Sequence, residues 1–186
     1  MANTLEIEKN QSENKQKSWF QNLCDEFLSS IRDLNRQEKI LLRRSMGLTF
    51  TESSPQAHIV FYSHIPETVK KDEYDIWFFC LCIYAYQDTL GNKRLENALS
   101  EFYNNEYTSE SQKAKVRALI SYRMCDDGRI IHYLAKMIKM LEKDGNMSIN
   151  VPSLLSALLR WNKGSADEWA EKIARFYKEE KKDEEN

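Results

Sequence analysis

Val69 to Gln87 reads VKKDEYDIWFFCLCIYAYQ and is the driest run in the chain. At helical spacing Tyr74, Trp77, Phe78, Leu81, Cys82, Tyr84 and Ala85 cover most of the circumference. A helix apolar nearly all round keeps no face for water, so the pattern predicts a buried central helix. Aromatic residues also suit strands, but about eighteen residues without a turn former exceed ordinary strand length. The most apolar part, Ile76 to Tyr86, is too short to span a bilayer, which takes about 20 apolar residues.

A buried helix needs others around it, and the composition supplies them. Gly and Pro number 5 and 3 among 186 residues, about a third of ordinary usage. Strand-rich folds need frequent Gly and Pro turns, so the shortage predicts an all-α chain and removes Gly-rich phosphate loops. With 41% hydrophobic and 30% charged residues, the chain is neither fibrous nor without a core. About eight to nine helices are expected, in two small packed bundles.

Outward from the central helix, local signals place the rest. Residues 1–17 are polar and read as a flexible lead. Ser18 is a candidate N-cap for a helix through Asp33, with Phe20, Cys24, Phe27, Leu28 and Ile31 at helical spacing. Asn35 can cap a helix ending near Gly47. A short helix from Gln56 to Ser63 stops before Pro66. On the far side come helices over Leu95–Tyr103, Glu110 to about Arg123, and a long one opened by Asp126 and Asp127 and stopped at Gly145. Pro152 fits the first turn of SLLSALLRW, and Ser165 can cap a last helix. The expected organisation is an N-terminal bundle over 18–90, a linker or insert over 91–109, a C-terminal bundle over 110–177 and a charged tail over 178–186.

Cys24, Cys80, Cys82 and Cys125 form no C-x-x-C pair and no zinc spacing, so reduced structural thiols are expected. His58, His64 and His132 are scattered, and none forms H-E-x-x-H or neighbours a nucleophile. Asp126 and Asp127 read as dipole-complementing residues rather than a catalytic pair. No catalytic residue, metal site or cofactor is expected. MANTLEIEKNQSENKQKSW has no apolar stretch of the signal-peptide kind, so a cytoplasmic protein is expected.

The net charge is -2, but the cations are segregated. In NRQEKILLRRSMG, Arg36, Lys39 and Arg43 fall within roughly 60° of one another on a helical wheel. Leu34, Leu41 and Leu48 lie opposite, while Ile40 sits on the basic side. Ser111 to Arg123 holds Lys113, Lys115, Arg117 and Arg123 and no acid. Arg129, His132, Lys136, Lys139 and Lys143 fall within an arc of about 80°, opposite Ile130, Leu134, Met137, Ile138 and Leu141. Such ridges contact phosphate rather than read bases. Lysines on the outer side of a helix also serve plain solubility. Two readings therefore stand: a helical module holding nucleic-acid backbone, or a protein–protein interaction adaptor without a nucleic-acid role.

Several segments in order narrow the choice. They are Leu41-Leu42-Arg43-Arg44, Phe61-Tyr62, Lys115-Val116-Arg117-Ala118-Leu119-Ile120, the leucine-bearing helix from His132 to Leu141, Leu155 to Trp161, and Trp169 to Tyr177. Over roughly residues 18–177 this succession resembles the small subunit of the type I-E CRISPR Cascade complex, the CasB family. The chain departs from the family pattern around Asn92 to Ser109 and in its charged tails. It also holds one cation, Lys163, between Asn162 and Glu168, where a denser basic loop is usual.

The resemblance implies a non-catalytic, all-helical subunit of an antiviral surveillance complex. Its partners would be the other Cascade subunits, the crRNA, the target DNA with its displaced strand, and a second copy of itself. It carries nucleic-acid contact onto Arg44 first and then Arg43, onto Lys115 with Lys113 and Arg117 beside it, and onto Lys163. Lys136 and Lys139 join them from the wheel alone.

Overall fold

The computed structural model describes residues 19–121, 129–142 and 148–184, with side-chain surroundings as far as residue 174. Nine helices follow one another among the described residues: α1 over 19–32, α2 Arg36–Ser45, α3 Pro55–His64, α4 Tyr74–Gln87, α5 Leu95–Asn104, α6 Glu110–Ser121, α7 Arg129–Glu142, α8 Val151–Leu159 and α9 Ser165–Glu184. Single 3-10 turns precede α4 at Lys71–Glu73 and α9 at Trp161–Lys163. The described residues contain no strand beyond one isolated parallel bridge, Lys93 to Ile149. The all-α expectation holds. Ser18, Cys125, Asp126, Asp127, Lys143 and Gly145 lie outside the described residues, as do residues 1–17 and Arg123.

The central helix is α4. Every residue from Ile76 to Ala85 is buried, as its continuous apolarity demands. Fully burying one such side chain contributes roughly 1.5–3 kcal/mol, so this helix organises its neighbours. α1 packs Phe27 edge-on against Trp77, ring centroids 5.1 Å apart. α2 lies against α4 and α3, α3 reaches α4 through Phe61 on Phe78, and α7 and α8 cover other sides of it. α5 runs along α9, with α6 on both and α7 on α6. One hydrophobic cluster extends from Leu23 to Ile173.

The helix ends follow local chemistry. Asn35 caps α2 by accepting from the N–H groups of Gln37 (2.9 Å) and Glu38 (3.0 Å). The Glu38 carboxylate accepts in return from the Asn35 N–H at 2.8 Å, which completes a capping box. Ser54 caps α3 with Pro55 in its first turn, and Asn150 caps α8 with Pro152 likewise. α4 ends on Asp88 in the left-handed region, φ 58°.

Beyond α4, residues 88–93 are knitted to the start of α8. The Gln87 amide bonds both backbone groups of Ile149, at 2.7 and 2.9 Å, and the Asn150 N–H donates to the Lys93 carbonyl at 2.8 Å. Gly91, φ 67°, makes this fit possible, since a Cβ there would stand 2.0 Å from the Ile149 carbonyl oxygen.

Two local expectations are corrected. Leu48, placed on the docking face of α2, is 37% exposed, because α2 ends at Ser45 and the wheel no longer applies; Leu42 is fully buried instead. Ser165 does not cap α9: its hydroxyl is buried without a partner, while the Gly164 carbonyl accepts from the Glu168 N–H at 2.9 Å.

Candidate nucleic-acid interface

Asn35 sets where α2 begins, and Leu42 sets which side faces the core. The opposite side then carries Arg36, Lys39, Ile40 and Arg43. With Asp88 they line a cleft of about 410 Å³. Ile40 is on the basic side, as its position on the wheel predicts, and is 39% exposed. Arg43 is anchored: its Nε donates to the Ala85 carbonyl at 2.6 Å. That carbonyl lies in the last turn of α4, where the helix dipole is negative and a cation is stabilised. Lys39 Nζ stands 2.5 Å from Asp88 Oδ1. This hydrogen bond, then the charges of Lys39 and Arg43, hold the Asp88 carboxyl below its ordinary range.

Arg44, one place on, is exposed and has no partner among the described residues. It stands one turn before Gly47, whose φ is 95° and whose absent Cβ would lie 2.9 Å from the Ala135 Cβ. The end of α2 therefore meets α7 at Ala135. Lys136 follows that contact directly and Lys139 comes one turn later. Both are exposed and unpaired among the described residues. α7 turns these lysines outward because Ile130, Ile131, Leu134, Met137, Ile138 and Leu141 are all buried.

Two further contacts hold α7 in place. His132 Nε2 lies 3.5 Å from Glu52 Oε2 in the loop after α2. Tyr86, near the end of α4, donates to Glu142 at the end of α7. α2 and α7 thus both flank the C-terminal half of α4.

The α6 cations are placed differently. Lys113 and Arg117 both face Glu110, at 3.7 and 3.5 Å. The Arg117 guanidinium also donates to the Tyr103 hydroxyl at 2.9 Å and lies 5.7 Å from the centre of that ring. These two side chains tie α6 to α5. Lys115 is exposed and unpaired among the described residues, and so is Lys163 in the 3-10 turn before α9. The structure places Arg43 and Arg44 on α2 and Lys136 and Lys139 on α7, two helices that meet where Gly47 touches Ala135, and sets Lys113, Lys115 and Arg117 on α6 and Lys163 in the turn before α9.

Sequence reading missed Asp88. Its carboxylate enters the α2 cleft from 49 positions away, and no local pattern announces a partner at that separation.

A second cleft, of about 660 Å³, lies between α5, α8 and α9. Arg94, Arg160 and Lys172 line it together with Glu96, Glu168 and Glu171, so its charges balance. The buried Glu96 carboxylate is held by Lys172 at 3.2 Å and Arg94 at 3.7 Å, which fastens α5 to α9.

Nothing among the described residues groups three His, Cys, Asp or Glu side chains so as to hold a metal ion. Burial pushes the Cys24 thiol up to about 11 and the Cys80 and Cys82 thiols further, so none is an activated nucleophile. No helix among the described residues is long and apolar enough to cross a membrane.

Two solved structures share this architecture. The crystal structure of M. ruber CasB matches with a TM-score of 0.64 and 18% identity, over 84% of this chain and 94% of that one. A chain of a CRISPR RNA-guided surveillance complex matches with a TM-score of 0.64 and 17% identity, over 87% and 97%. No curated protein matches in sequence. The family model of the CRISPR-associated protein Cse2 matches residues 41–177, from the Leu41-Leu42-Arg43-Arg44 segment to the Tyr177 that ends the closing aromatic motif, and the chain belongs to that family.

Proposed function

We propose that this chain is the small, non-catalytic subunit of a CRISPR RNA-guided surveillance complex and that its cationic helix faces hold nucleic-acid backbone there. Family membership and the shared fold support the subunit role. The observation that supports the nucleic-acid role is that Arg44 on α2 and Lys136 and Lys139 on α7 are exposed and unpaired among the described residues, on two helices joined where Gly47 meets Ala135.

Free guanidinium and ammonium groups on rigid helices release counterions from a phosphate track without reading bases. Sequence choice then falls to base pairing by the guide RNA. The partners in this reading are the other subunits of the complex, the crRNA–target DNA duplex, the displaced strand and a second copy of the chain. A near-neutral protein can act in this way because neighbouring subunits hold the strand close and raise its effective concentration. Ile59 and Tyr62, 67% and 54% exposed on α3, supply apolar surface suited to protein contact within such an assembly.

The test replaces Arg44, Lys136 and Lys139 by Ala together and measures target binding by the assembled complex from low to physiological salt. Binding should weaken at low salt, and the slope of log affinity against log salt should flatten by about 0.7–0.9 for each phosphate no longer neutralised. Unchanged affinity and slope overturn the proposal.

A further inference from the structure

The α2 cleft holds an anion of the protein's own. We infer that the Asp88 carboxylate is an internal phosphate mimic: it occupies, among Arg36, Lys39 and Arg43, the position a backbone phosphate takes, and so restrains nucleic-acid binding at this cleft. The inference rests on the reading that this protein holds phosphodiester backbone.

Four observations carry it. Lys39 is 21% exposed at its side chain and ends on Asp88, so its one charge is committed to that carboxylate. Arg43 is fixed by the Ala85 carbonyl, yet its charge also acts on Asp88. The cleft is wide for its contents, about 410 Å³, against roughly 30 Å³ for one water's share of the liquid. Its wall includes Ile40, an apolar surface of the kind a sugar can rest on.

The fold does not require the carboxylate. Asp88 ends α4 at φ 58°, a conformation that Asn and Gly adopt at least as readily. Its side chain is 54% exposed, and an ion pair so open to water contributes little to folding. What the carboxylate does is cancel a cation in a cluster of three.

The chemistry is an exchange of anions of like charge. A tethered carboxylate faces its cations at high effective concentration, so a lone phosphate does not displace it. A strand already held at Arg44 presents its next phosphate at comparable effective concentration and does. The cleft thereby favours a continuous phosphate track over free phosphate.

The experiment uses the full chain and a fluorescein-labelled single-stranded oligothymidylate, with anisotropy read across salt concentrations. Asp88→Asn should bind about threefold to tenfold tighter at low salt, with the slope steeper by about 0.7 for the additional phosphate neutralised. Asp88→Gly should give the same gain. Inorganic phosphate should compete at the cleft in Asp88→Asn at concentrations that leave wild type unaffected.

Asp72→Asn removes the same charge at the opposite end of α4 and should give no gain. In a Lys39→Ala background the Asp88→Asn gain should shrink below about twofold, since Lys39 is the cation being released. Wild-type affinity in Asp88→Asn, an equal gain in Asp72→Asn, or a full gain without Lys39 each overturns the inference. If the Arg44, Lys136 and Lys139 variant loses oligothymidylate while Asp88→Asn binds as wild type, the inference falls and the backbone-holding function stands. If no variant binds oligothymidylate at low salt, the inference falls, and the backbone-holding function is decided by the assembled complex.

Discussion

Lys39 and Asp88 show how one contact changes the meaning of a charged side chain. On the helical wheel Lys39 is a surface cation; in the fold it is already neutralised, 2.5 Å from a carboxylate. The Asp88 pKa is lowered from 3.8, first by the Lys39 hydrogen bond and then by the Lys39 and Arg43 charges. A carboxyl depressed in the folded state adds stability that is present above its ordinary pKa and lost as pH falls through the lowered one. Titration of the Asp88 carboxyl by NMR should therefore give a midpoint below 3.8, and Lys39→Ala should bring it back toward that value. A midpoint that Lys39→Ala does not move would show that the pair does not form in solution. Glu52 is lowered by the same logic, chiefly by hydrogen bonds from Thr49 and to a lesser degree by the charge of His132. The Asp88 case is opaque in the sequence, which displays the charge but not the distant group that meets it, whereas Thr49 lies three residues from Glu52.

Helix ends are easier to read. Asn35 and Glu38 form their capping box within four residues of chain, so the motif is visible without tertiary information. The same holds for Ser54-Pro55 and Asn150 with Pro152. Ser165 misleads because a serine before a helical pattern ordinarily caps it, whereas here the preceding Gly164 supplies the first carbonyl and the hydroxyl is buried.

The connection between α4 and α5 reads in sequence only as a loop. Its geometry depends on Ile149, which the chain delivers from far along. Gly91→Ala should destabilise the protein by about 2–4 kcal/mol, combining a left-handed backbone with a collision against a carbonyl oxygen that cannot swing aside. Urea denaturation measures this directly. A loss under about 1 kcal/mol would show that residues 88–93 and 148–150 separate readily.

For the folded protein as a unit, the cations fall into two classes. Lys113 and Arg117 are engaged with Glu110 and Tyr103, while Arg44, Lys136 and Lys139 have no partner among the described residues. Engaged cations surrender an existing interaction before they can take a phosphate. Replacing Lys113 and Arg117 by Ala should therefore weaken target binding less than replacing Arg44 and Lys136, by about threefold to tenfold in affinity. Filter binding with the assembled complex compares the two pairs. Equal losses would show that ion pairing inside the chain does not rank these residues.

The all-α class, the buried helix within Val69 to Gln87, the Asn35 cap of α2 and the Pro152 start of α8 were legible from residue order. Each depends on neighbours within about one helical turn, where the backbone itself sets the spacing. The family too was legible, from motifs in order between Leu41 and Tyr177. Which cations stay free, which are spent on Asp88 or Glu110, and that the end of α2 meets α7 came only with the fold. Charge pairing follows distance through space, and only the packing of α2 and α7 around α4 closes the gaps that the chain leaves between those residues.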